Sequence, residues 1–153
     1  MLIKLSSHKL EASTVVGGTN GKSTFSSVRT SSGTFLEDRE HVLLKSITKR
    51  VAHYTSLPPE NQEAMQVLRY EIGQFYRPHQ DFFADAANRN RGGQRVATVL
   101  IYLSDVEDGG ETLFPDVKNQ RSRCSGEDVV GMSVKPVKGN AVIFWTGTPE
   151  GHE

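Results

Sequence analysis

The sequence predicts one α+β domain that is mainly β, with its strands arranged as an antiparallel sandwich or barrel. Several short apolar runs are separated by Gly-rich turns, one segment shows clear helical periodicity, and strands do not alternate with helices along the chain. The length of 153 residues fits a single domain.

Composition excludes several classes of protein. Apolar residues make up 36% and charged residues 24%, and 18 Lys and Arg balance 18 Asp and Glu. A disordered chain would carry fewer apolar residues, and a nucleic-acid-binding protein would carry a basic excess. No apolar run is long enough to cross a bilayer, and the first residues lack the apolar core of a signal peptide. The single cysteine, Cys124, has no partner for a disulfide within the chain as given.

The first sixty residues contain the predicted helical and loop elements. Residues 2–10 are typical of the last turns of a helix, and residues 13–16 of a short strand. Residues 17–33 are rich in Gly, Ser and Thr, which predicts a loop. The clearest helix spans residues 37–56, because its apolar residues recur at three- and four-residue steps and two prolines follow it.

After residue 60 the pattern changes to strand-like runs. The predicted strands are 65–70, 74–83, 96–103, 111–114, 132–137 and 141–145. In the second run, Pro78 favours an edge position or a bulge. The third run is apolar except for Thr98, which predicts a strand buried on both faces. Two polar stretches are predicted as connections, a loop over 85–93 and an excursion between strands over 118–131.

The segment Gly17–Thr24, GGTNGKST, resembles the phosphate-binding loop of the Mur ligase and folylpolyglutamate synthase families. Such a loop surrounds phosphate with backbone N–H groups and a Lys at a helix N-terminus. Here Val16 breaks the strict G-x-x-x-x-G-K-[ST] spacing, and the residues after Lys22 show no helical stripe. A Gly-rich surface loop is the preferred interpretation, and an ATP-dependent ligase fragment is the alternative.

The sharpest chemical feature is the segment 73–81, GQFYRPHQD. In an extended chain, side chains two positions apart point to the same face, so His79 and Asp81 could hold one metal ion. One imidazole and one carboxylate are two of the three ligands in the 2-His-1-carboxylate triad, which leaves positions on Fe(II) open for oxygen chemistry. A hydrogen-bonded His–Asp pair on a strand is the alternative interpretation of this motif alone.

Other polar residues are expected to converge on the same end of the sandwich. Arg95 precedes the long apolar strand, and Thr112 lies in the turn after it. Arg and Thr side chains can bind a carboxylate through charge and hydroxyl contacts. Tyr70 and Tyr76 lie nine and three residues before His79.

These residues and their surroundings resemble the catalytic domain of the plant and algal prolyl 4-hydroxylases, which are Fe(II)- and 2-oxoglutarate-dependent dioxygenases. The matching text runs in order through nearly the whole chain. It comprises STVV (13–16), VRTSSGTF (28–35), QVLRY (66–70), GQFYRPHQD (73–81), GGQRVAT (92–98), YL (102–103), GGET (109–112), FP (114–115), VKP (134–136) and GNAVIF (139–144). The Gly-rich segment 17–24 also falls at a loop of this family, which explains it without ATP.

The resemblance implies a double-stranded β-helix, or jelly roll, with helices packed on one face. It implies 4-hydroxylation of peptidyl proline, coupled to oxidative decarboxylation of 2-oxoglutarate to succinate and CO2, with Fe(II) and ascorbate as cofactors. The implied partner is a proline-containing peptide, and the implied location is the endoplasmic reticulum or secretory pathway. A non-catalytic module that binds proline-rich peptides is the alternative function.

The same resemblance assigns roles to individual residues. His79 and Asp81 match the metal ligands, and Tyr70 and Thr112 match the contacts to 2-oxoglutarate. The implied substrate-binding residues are Tyr76, Arg95, Glu63 and Arg29.

The family pattern extends past both ends of the chain, so a single partial domain is expected, with 1–60 as a helical and loop support and 61–153 as the jelly-roll core. The expectation is that the C-terminal strands, the second iron His and the Lys that pairs with 2-oxoglutarate are missing. His152 lacks the family's Ser-Leu-His context, so no third iron ligand is expected in the chain. Fe(II) would then bind weakly and activity would be impaired. For Cys124, a disulfide with a cysteine outside the chain and a free thiol both stay open.

Overall fold

The computed structural model describes residues 1–17, 22–118 and 120–147. Short strands dominate the described residues and helices are few, so the predicted mainly β character is confirmed. The chain divides into two compact units, Met1–Gln74 with Asp85–Gly93, and Phe75–Ala84 with Gln94–Glu153. The predicted single-domain boundaries stay a prediction.

The first unit contains a three-stranded antiparallel sheet, in which Ser32–Leu36 lies between the other two strands. The strands are Glu11–Ala12 (β1), Ser32–Leu36 (β4) and Met65–Arg69 (β5). β4 pairs with β5 along its whole length. Leu36 and Val67 are both buried, and the alternation of side chains across the ladder places them on the same face. This face of the sheet therefore belongs to the core of the unit.

Helices complete the first unit. They are Leu2–Ser6 (α1), Val42–Thr55 (α2) and Ala86–Gly92 (α3), with 3-10 turns at Asp38–Glu40 and Pro59–Asn61. α2 begins after His41, whose Nδ1 accepts a hydrogen bond from the Leu43 N–H at 3.1 Å. It ends at Thr55, and the left-handed backbone of the next residue, Ser56, turns the chain toward the two prolines. Leu44 is fully buried, but Tyr54, also in the predicted apolar stripe, is 70% exposed, so the stripe forms the buried face only in part.

The second unit contains three antiparallel strand pairs that are nested along the sequence. They join Ala97–Ile101 (β6) to Ala141–Trp145 (β11), Thr112–Phe114 (β7) to Met132–Val134 (β10), and Arg121–Cys124 (β8) to Glu127–Val130 (β9). The rings of Phe114 and Phe144 meet edge to face with centroids 5.1 Å apart, which ties β7 to β11. β6 is half-buried throughout, so the predicted burial on both faces is wrong.

The predicted strand over 74–83 is wrong. The segment 75–84 forms no regular strand, and the chain bends at Pro78, which has no N–H to give to a ladder. The polar loop predicted over 85–93 is also wrong, because α3 occupies it. The Asp85 carboxylate accepts a hydrogen bond from the Asn88 N–H at 2.8 Å and caps this helix, a local signal that the polar composition concealed.

The loop predicted over 17–33 is wrong in part. Val15–Gly17 (β2) pairs with Lys22–Thr24 (β3) as an antiparallel hairpin, and β4 begins at residue 32. Residues 18–21 of the candidate phosphate loop lie outside the described residues. A strand follows this loop where a phosphate-binding loop would lead into a helix N-terminus, so the structure gives no support to an ATP site. The helix predicted over 2–10 ends at Ser6, because Lys9 N–H closes a turn on the Ser6 carbonyl.

Candidate metal centre

His79 and Asp81 lie side by side in the irregular segment 75–84. The Nε2 atom of His79 is 3.1 Å from Oδ1 of Asp81. The strand predicted over 74–83 is not formed, so the pair lies in an irregular segment that bends at Pro78 and not on a strand. The side chains are 37% and 24% exposed, respectively, so the pair is accessible from solvent without being fully hydrated.

The hydrogen bond made by Nδ1 of His79 determines whether Nε2 carries a proton or a lone pair. Nδ1 lies 2.8 Å from the Arg77 carbonyl oxygen, and because a carbonyl only accepts, Nδ1 must carry a proton and donate it. In the neutral imidazole, the lone pair is then on Nε2, the atom that faces Asp81. Two acceptor atoms can face each other at this distance only with a proton or a metal ion between them.

The geometry of the pair fits a metal ion. Two ligand atoms about 2.1 Å from one ion and at right angles to each other lie about 3.0 Å apart. The separation of His79 Nε2 and Asp81 Oδ1 is 3.1 Å. Imidazole and carboxylate together are a donor set that suits Fe(II), and a histidine ligand commonly donates its other N–H to a carbonyl, as Nδ1 does here to Arg77.

Asp81 has a second partner on β6. The Thr98 hydroxyl donates a hydrogen bond to Oδ2 of Asp81 at 2.6 Å. In the metal-free pair, where a proton lies between the two groups, the hydrogen bond from His79 lowers the pKa of Asp81 most, partial burial opposes it, and the bond from Thr98 lowers the pKa further. The charge of Arg95, and that of His79 when both of its ring nitrogens are protonated, act in the same direction. The carboxylate is therefore ionised at neutral pH, as a metal ligand must be.

Tyr76 contacts His79 of the candidate metal centre directly. Its ring stacks on the His79 ring with centroids 3.6 Å apart and planes 18° from parallel. The structure therefore places Tyr76 against the candidate ligand, and its predicted contact with a peptide substrate stays a prediction. The stack and the hydrogen bond to Arg77 together limit rotation of the imidazole.

Gln94 anchors the segment that carries the pair. The Phe83 N–H donates to Gln94 Oε1 at 2.6 Å, and Gln94 Nε2 donates to the Phe83 carbonyl at 3.1 Å. The guanidinium of Arg95 lies over the Phe83 ring, 4.4 Å from its centroid. These contacts join the end of the segment to the start of β6, which brings Asp81 within reach of Thr98.

Thr112 is linked to the same strand. The hydroxyl of the buried Tyr102 donates a hydrogen bond to Thr112 Oγ1 at 2.9 Å. Tyr102 extends the β6–β11 ladder by one residue, and it lies on the same face as Thr98 because four positions separate them. Asp81 binds Thr98 and Thr112 binds Tyr102, so both contacts are made on one face of this strand. Thr98 and Tyr102 lie about 13 Å apart along the strand.

The remaining predicted site residues belong to the first unit. Tyr70 and Glu63 are exposed at the two ends of β5. Arg29 donates one hydrogen bond to the Thr14 carbonyl at 3.0 Å and another to Gln66 Oε1 at 3.3 Å. The roles of these three residues toward 2-oxoglutarate and substrate stay predictions.

Sequence reasoning did not identify Thr98 or Gln94 as site residues. The sequence does indicate that Thr98 has a hydrogen-bonding partner. Thr98 interrupts an otherwise apolar run, and a hydroxyl inside such a strand needs such a partner. Nothing in the sequence marks Gln94 as a site residue, since a glutamine before a strand is common and only the fold shows its two hydrogen bonds to Phe83.

Over residues 1–17, 22–118 and 120–147, no three His, Cys, Asp or Glu side chains group closely enough to hold a metal ion. His152 lies outside these ranges. Burial raises the pKa of the Cys124 thiol, as does the charge of Glu111, whose Oε2 lies 3.9 Å from Sγ. In the same part of the chain, no helix has the length and apolarity to cross a membrane.

Known proteins resemble this chain in the region of the site. A family model described as the 2OG-Fe(II) oxygenase superfamily matches residues 65–153. Probable prolyl 4-hydroxylase 10 of Arabidopsis thaliana is 50% identical over 158 residues, which cover 97% of this chain and 54% of the relative. Prolyl 4-hydroxylase 1 of the same plant is 51% identical over 140 residues, covering 90% of this chain and 50% of the relative. The chain spans about half the length of these curated relatives.

Proposed function

Because this chain belongs to the 2OG-Fe(II) oxygenase superfamily, we propose that it carries catalytic residues of a peptidyl-proline 4-hydroxylase. The resemblance to a family of Fe(II)- and 2-oxoglutarate-dependent dioxygenases is confirmed by that membership. The proposed reaction couples hydroxylation of a proline residue at C4 to decarboxylation of 2-oxoglutarate to succinate and CO2. His79 Nε2 facing Asp81 Oδ1 at 3.1 Å is the observation that supports it most directly.

His79 and Asp81 would hold Fe(II), which supplies the centre for 2-oxoglutarate binding and dioxygen chemistry. The Arg77 carbonyl keeps the proton on Nδ1, so that Nε2 presents its lone pair. Asp81 contributes a negative charge that offsets part of the charge of the ion. The Tyr76 ring excludes water from one face of the imidazole.

Thr112 and Tyr70 are the proposed contacts of 2-oxoglutarate, and Tyr76 and Arg95 those of the peptide. The Thr112 hydroxyl accepts a hydrogen bond from Tyr102, which leaves its own proton available for a carboxylate oxygen. The link of Thr112 and Asp81 to one face of β6 supports a co-substrate that extends from the metal along this strand. Ascorbate as a cofactor and the secretory pathway as the location follow from the resemblance alone.

The strand pairing supports a jelly roll as the finer description of the fold. Rolling up a long antiparallel hairpin pairs its first strand with its last and its second with the next to last. The pairs β6–β11, β7–β10 and β8–β9 follow this order.

Anaerobic titration of the 153-residue chain with Fe(II), and with Mn(II) as a redox-stable substitute, tests the metal centre. We expect binding that His79→Ala or Asp81→Ala abolishes and His53→Ala, an exposed substitution on α2, leaves unchanged. Binding that survives both substitutions in the pair would contradict the proposal.

The reaction is tested by incubating the chain with Fe(II), 2-oxoglutarate and a proline-rich peptide. A mass increase of one oxygen atom on proline, together with stoichiometric succinate, would support peptidyl-proline hydroxylation and would contradict the expected impairment of this chain. Succinate formation stimulated equally by peptides with and without proline would contradict it.

A further inference from the structure

We propose that Thr98 is a positioning residue that makes Asp81 a one-oxygen metal ligand, by binding the carboxylate oxygen that does not face His79. This inference rests on the proposed function, since it concerns a metal ion held by His79 and Asp81. Neither the family match nor the names of the relatives assigns any role to Thr98.

The two oxygens of Asp81 have different partners. Oδ1 is 3.1 Å from His79 Nε2, whereas Oδ2 receives the hydrogen bond of the Thr98 hydroxyl at 2.6 Å. A hydrogen bond to an ionised carboxylate is short and stronger than one between neutral groups. Turning Oδ2 toward an ion beside Nε2 would move it away from the Thr98 hydroxyl, so the bond favours the orientation in which Oδ1 is the oxygen offered to the ion.

The hydroxyl of Thr98 is itself held firmly. Thr98 lies within β6 and pairs with Phe144 of β11, so neighbouring backbone fixes its position. Its branched side chain has few rotamers available in a strand. At the other end of the contact, the two hydrogen bonds between Gln94 and Phe83 anchor the chain just after Asp81. The Thr98–Asp81 bond therefore joins two positioned groups.

One-oxygen binding has a chemical consequence. A carboxylate that binds through both oxygens occupies two positions on an ion, whereas one that binds through a single oxygen occupies one. Oxygenases of this class need open positions for a chelating co-substrate and for dioxygen. By holding Oδ2, Thr98 would keep one more position open. Residues that orient a ligand in this way typically change metal affinity about 10- to 100-fold when they are removed.

Thr98→Val tests this role, because it removes the hydroxyl and keeps the shape of the side chain. We expect the affinity of the 153-residue chain for Mn(II) to fall about 10-fold or more. Thr98→Ser retains the hydroxyl and should restore affinity to within about threefold of the unsubstituted chain. Thr48→Val is the matched control, because Thr48 also donates a 2.6 Å hydrogen bond to an aspartate, Asp38, in the first unit. It should leave affinity unchanged.

Spectroscopy shows whether Thr98 orients the Asp81 carboxylate toward the metal ion or only stabilises the fold. In the Co(II)-loaded chain, Thr98→Val should change the visible absorption in the direction of a higher coordination number. In the Mn(II)-loaded chain, it should shift the infrared carboxylate stretches toward two-oxygen binding. Thr98→Ser should give the spectra of the unsubstituted chain. If Thr98→Val does not fold by circular dichroism, Thr98→Ala replaces it in both measurements.

The outcomes distinguish this inference from the proposed function. If the unsubstituted chain binds no metal, or if His79→Ala binds as well as it does, the metal centre fails and the role of Thr98 fails with it. If metal binding depends on His79 but Thr98→Val matches the unsubstituted chain in affinity and spectra, only the role of Thr98 is overturned. Loss of affinity in Thr98→Ser equal to that in Thr98→Val would also overturn it.

Discussion

The helix α2 and the irregular segment 75–84 are held in place by opposite kinds of contact. α2 has its capping residues, His41 and Ser56, at its own ends, and its buried Leu44 lies within it. The segment 75–84 has no regular strand, and its anchors are Gln94 and Thr98, which lie 11 and 17 residues along the chain from the groups that they bind. Substitutions in the two regions should therefore separate stability from metal binding.

The largest expected effect on stability is in α2. Leu44→Ala removes a fully buried side chain and should lower the free energy of unfolding by about 2–5 kcal/mol. Val42→Ala, at a position that is 79% exposed, is the control and should change it by less than about 0.5 kcal/mol. Urea denaturation followed by circular dichroism measures both, and equal losses in the two variants would show that Leu44 is not a core residue.

Gln94→Leu should affect both stability and the site. It removes both hydrogen bonds to the Phe83 backbone and should cost about 1–3 kcal/mol. Because those bonds anchor the chain beside Asp81, we also expect Mn(II) affinity to fall about tenfold. Gln62→Leu is the matched control, since Gln62 donates to the Thr48 carbonyl at 3.0 Å in the first unit. A similar loss of Mn(II) affinity in both variants would contradict the anchoring role of Gln94.

The stack of Tyr76 on His79 should have a smaller effect on the metal. Tyr76→Leu removes the aromatic contact, worth about 0.5–1.5 kcal/mol, and should weaken Mn(II) binding about 2- to 10-fold. Tyr76→Phe keeps the ring and should bind Mn(II) as the unsubstituted chain does. Peptide affinity measured on the same variants tests the separate prediction that Tyr76 contacts substrate, because Phe lacks the hydroxyl that would donate to the peptide.

The smallest expected effect concerns the cap of α3. Hydrogen bonds from the Asn88 side chain and backbone hold the pKa of Asp85 below its ordinary value. A lowered pKa in the folded state stabilises the protein above the unfolded pKa, and that stabilisation is lost as the pH falls through the folded pKa. The stability advantage over Asp85→Asn should therefore shrink between about pH 5 and pH 3. An advantage that stays constant over this range would contradict the prediction.

The contrast between the two regions also explains what the sequence could predict. The helix predicted over 37–56, which the structure shows over Val42–Thr55, was identifiable because the period of its apolar residues and the prolines after it are local signals. The apolar strands at 65–70, 96–103 and 141–145 were identifiable for the same reason. The segment 74–83 was misassigned as a strand, because its shape depends on Gln94 and Thr98 rather than on its own period.

The residues of the candidate site can also be divided into those that the sequence indicates and those that only the fold shows. His79 and Asp81 were identifiable from their chemistry and spacing, although they lie in an irregular segment and not on the expected strand. The orientation of the imidazole depends on the Arg77 carbonyl and the Tyr76 ring, and backbone acceptors and ring stacking leave no pattern in the sequence. Thr98 left a weak signal, a polar residue in an apolar strand, that only the fold connects to Asp81.

The central claim is that His79 Nε2 and Asp81 Oδ1 share a metal ion while Nδ1 keeps its proton. Long-range proton–nitrogen NMR of the His79 ring, recorded as diamagnetic Zn(II) is added to the chain, tests it most directly. We expect the Nε2 resonance to move to a metal-bound position, Nδ1 to stay protonated, and the change to disappear in Asp81→Ala. A ring whose Nε2 does not respond to Zn(II), or which binds it through Nδ1, would contradict the account.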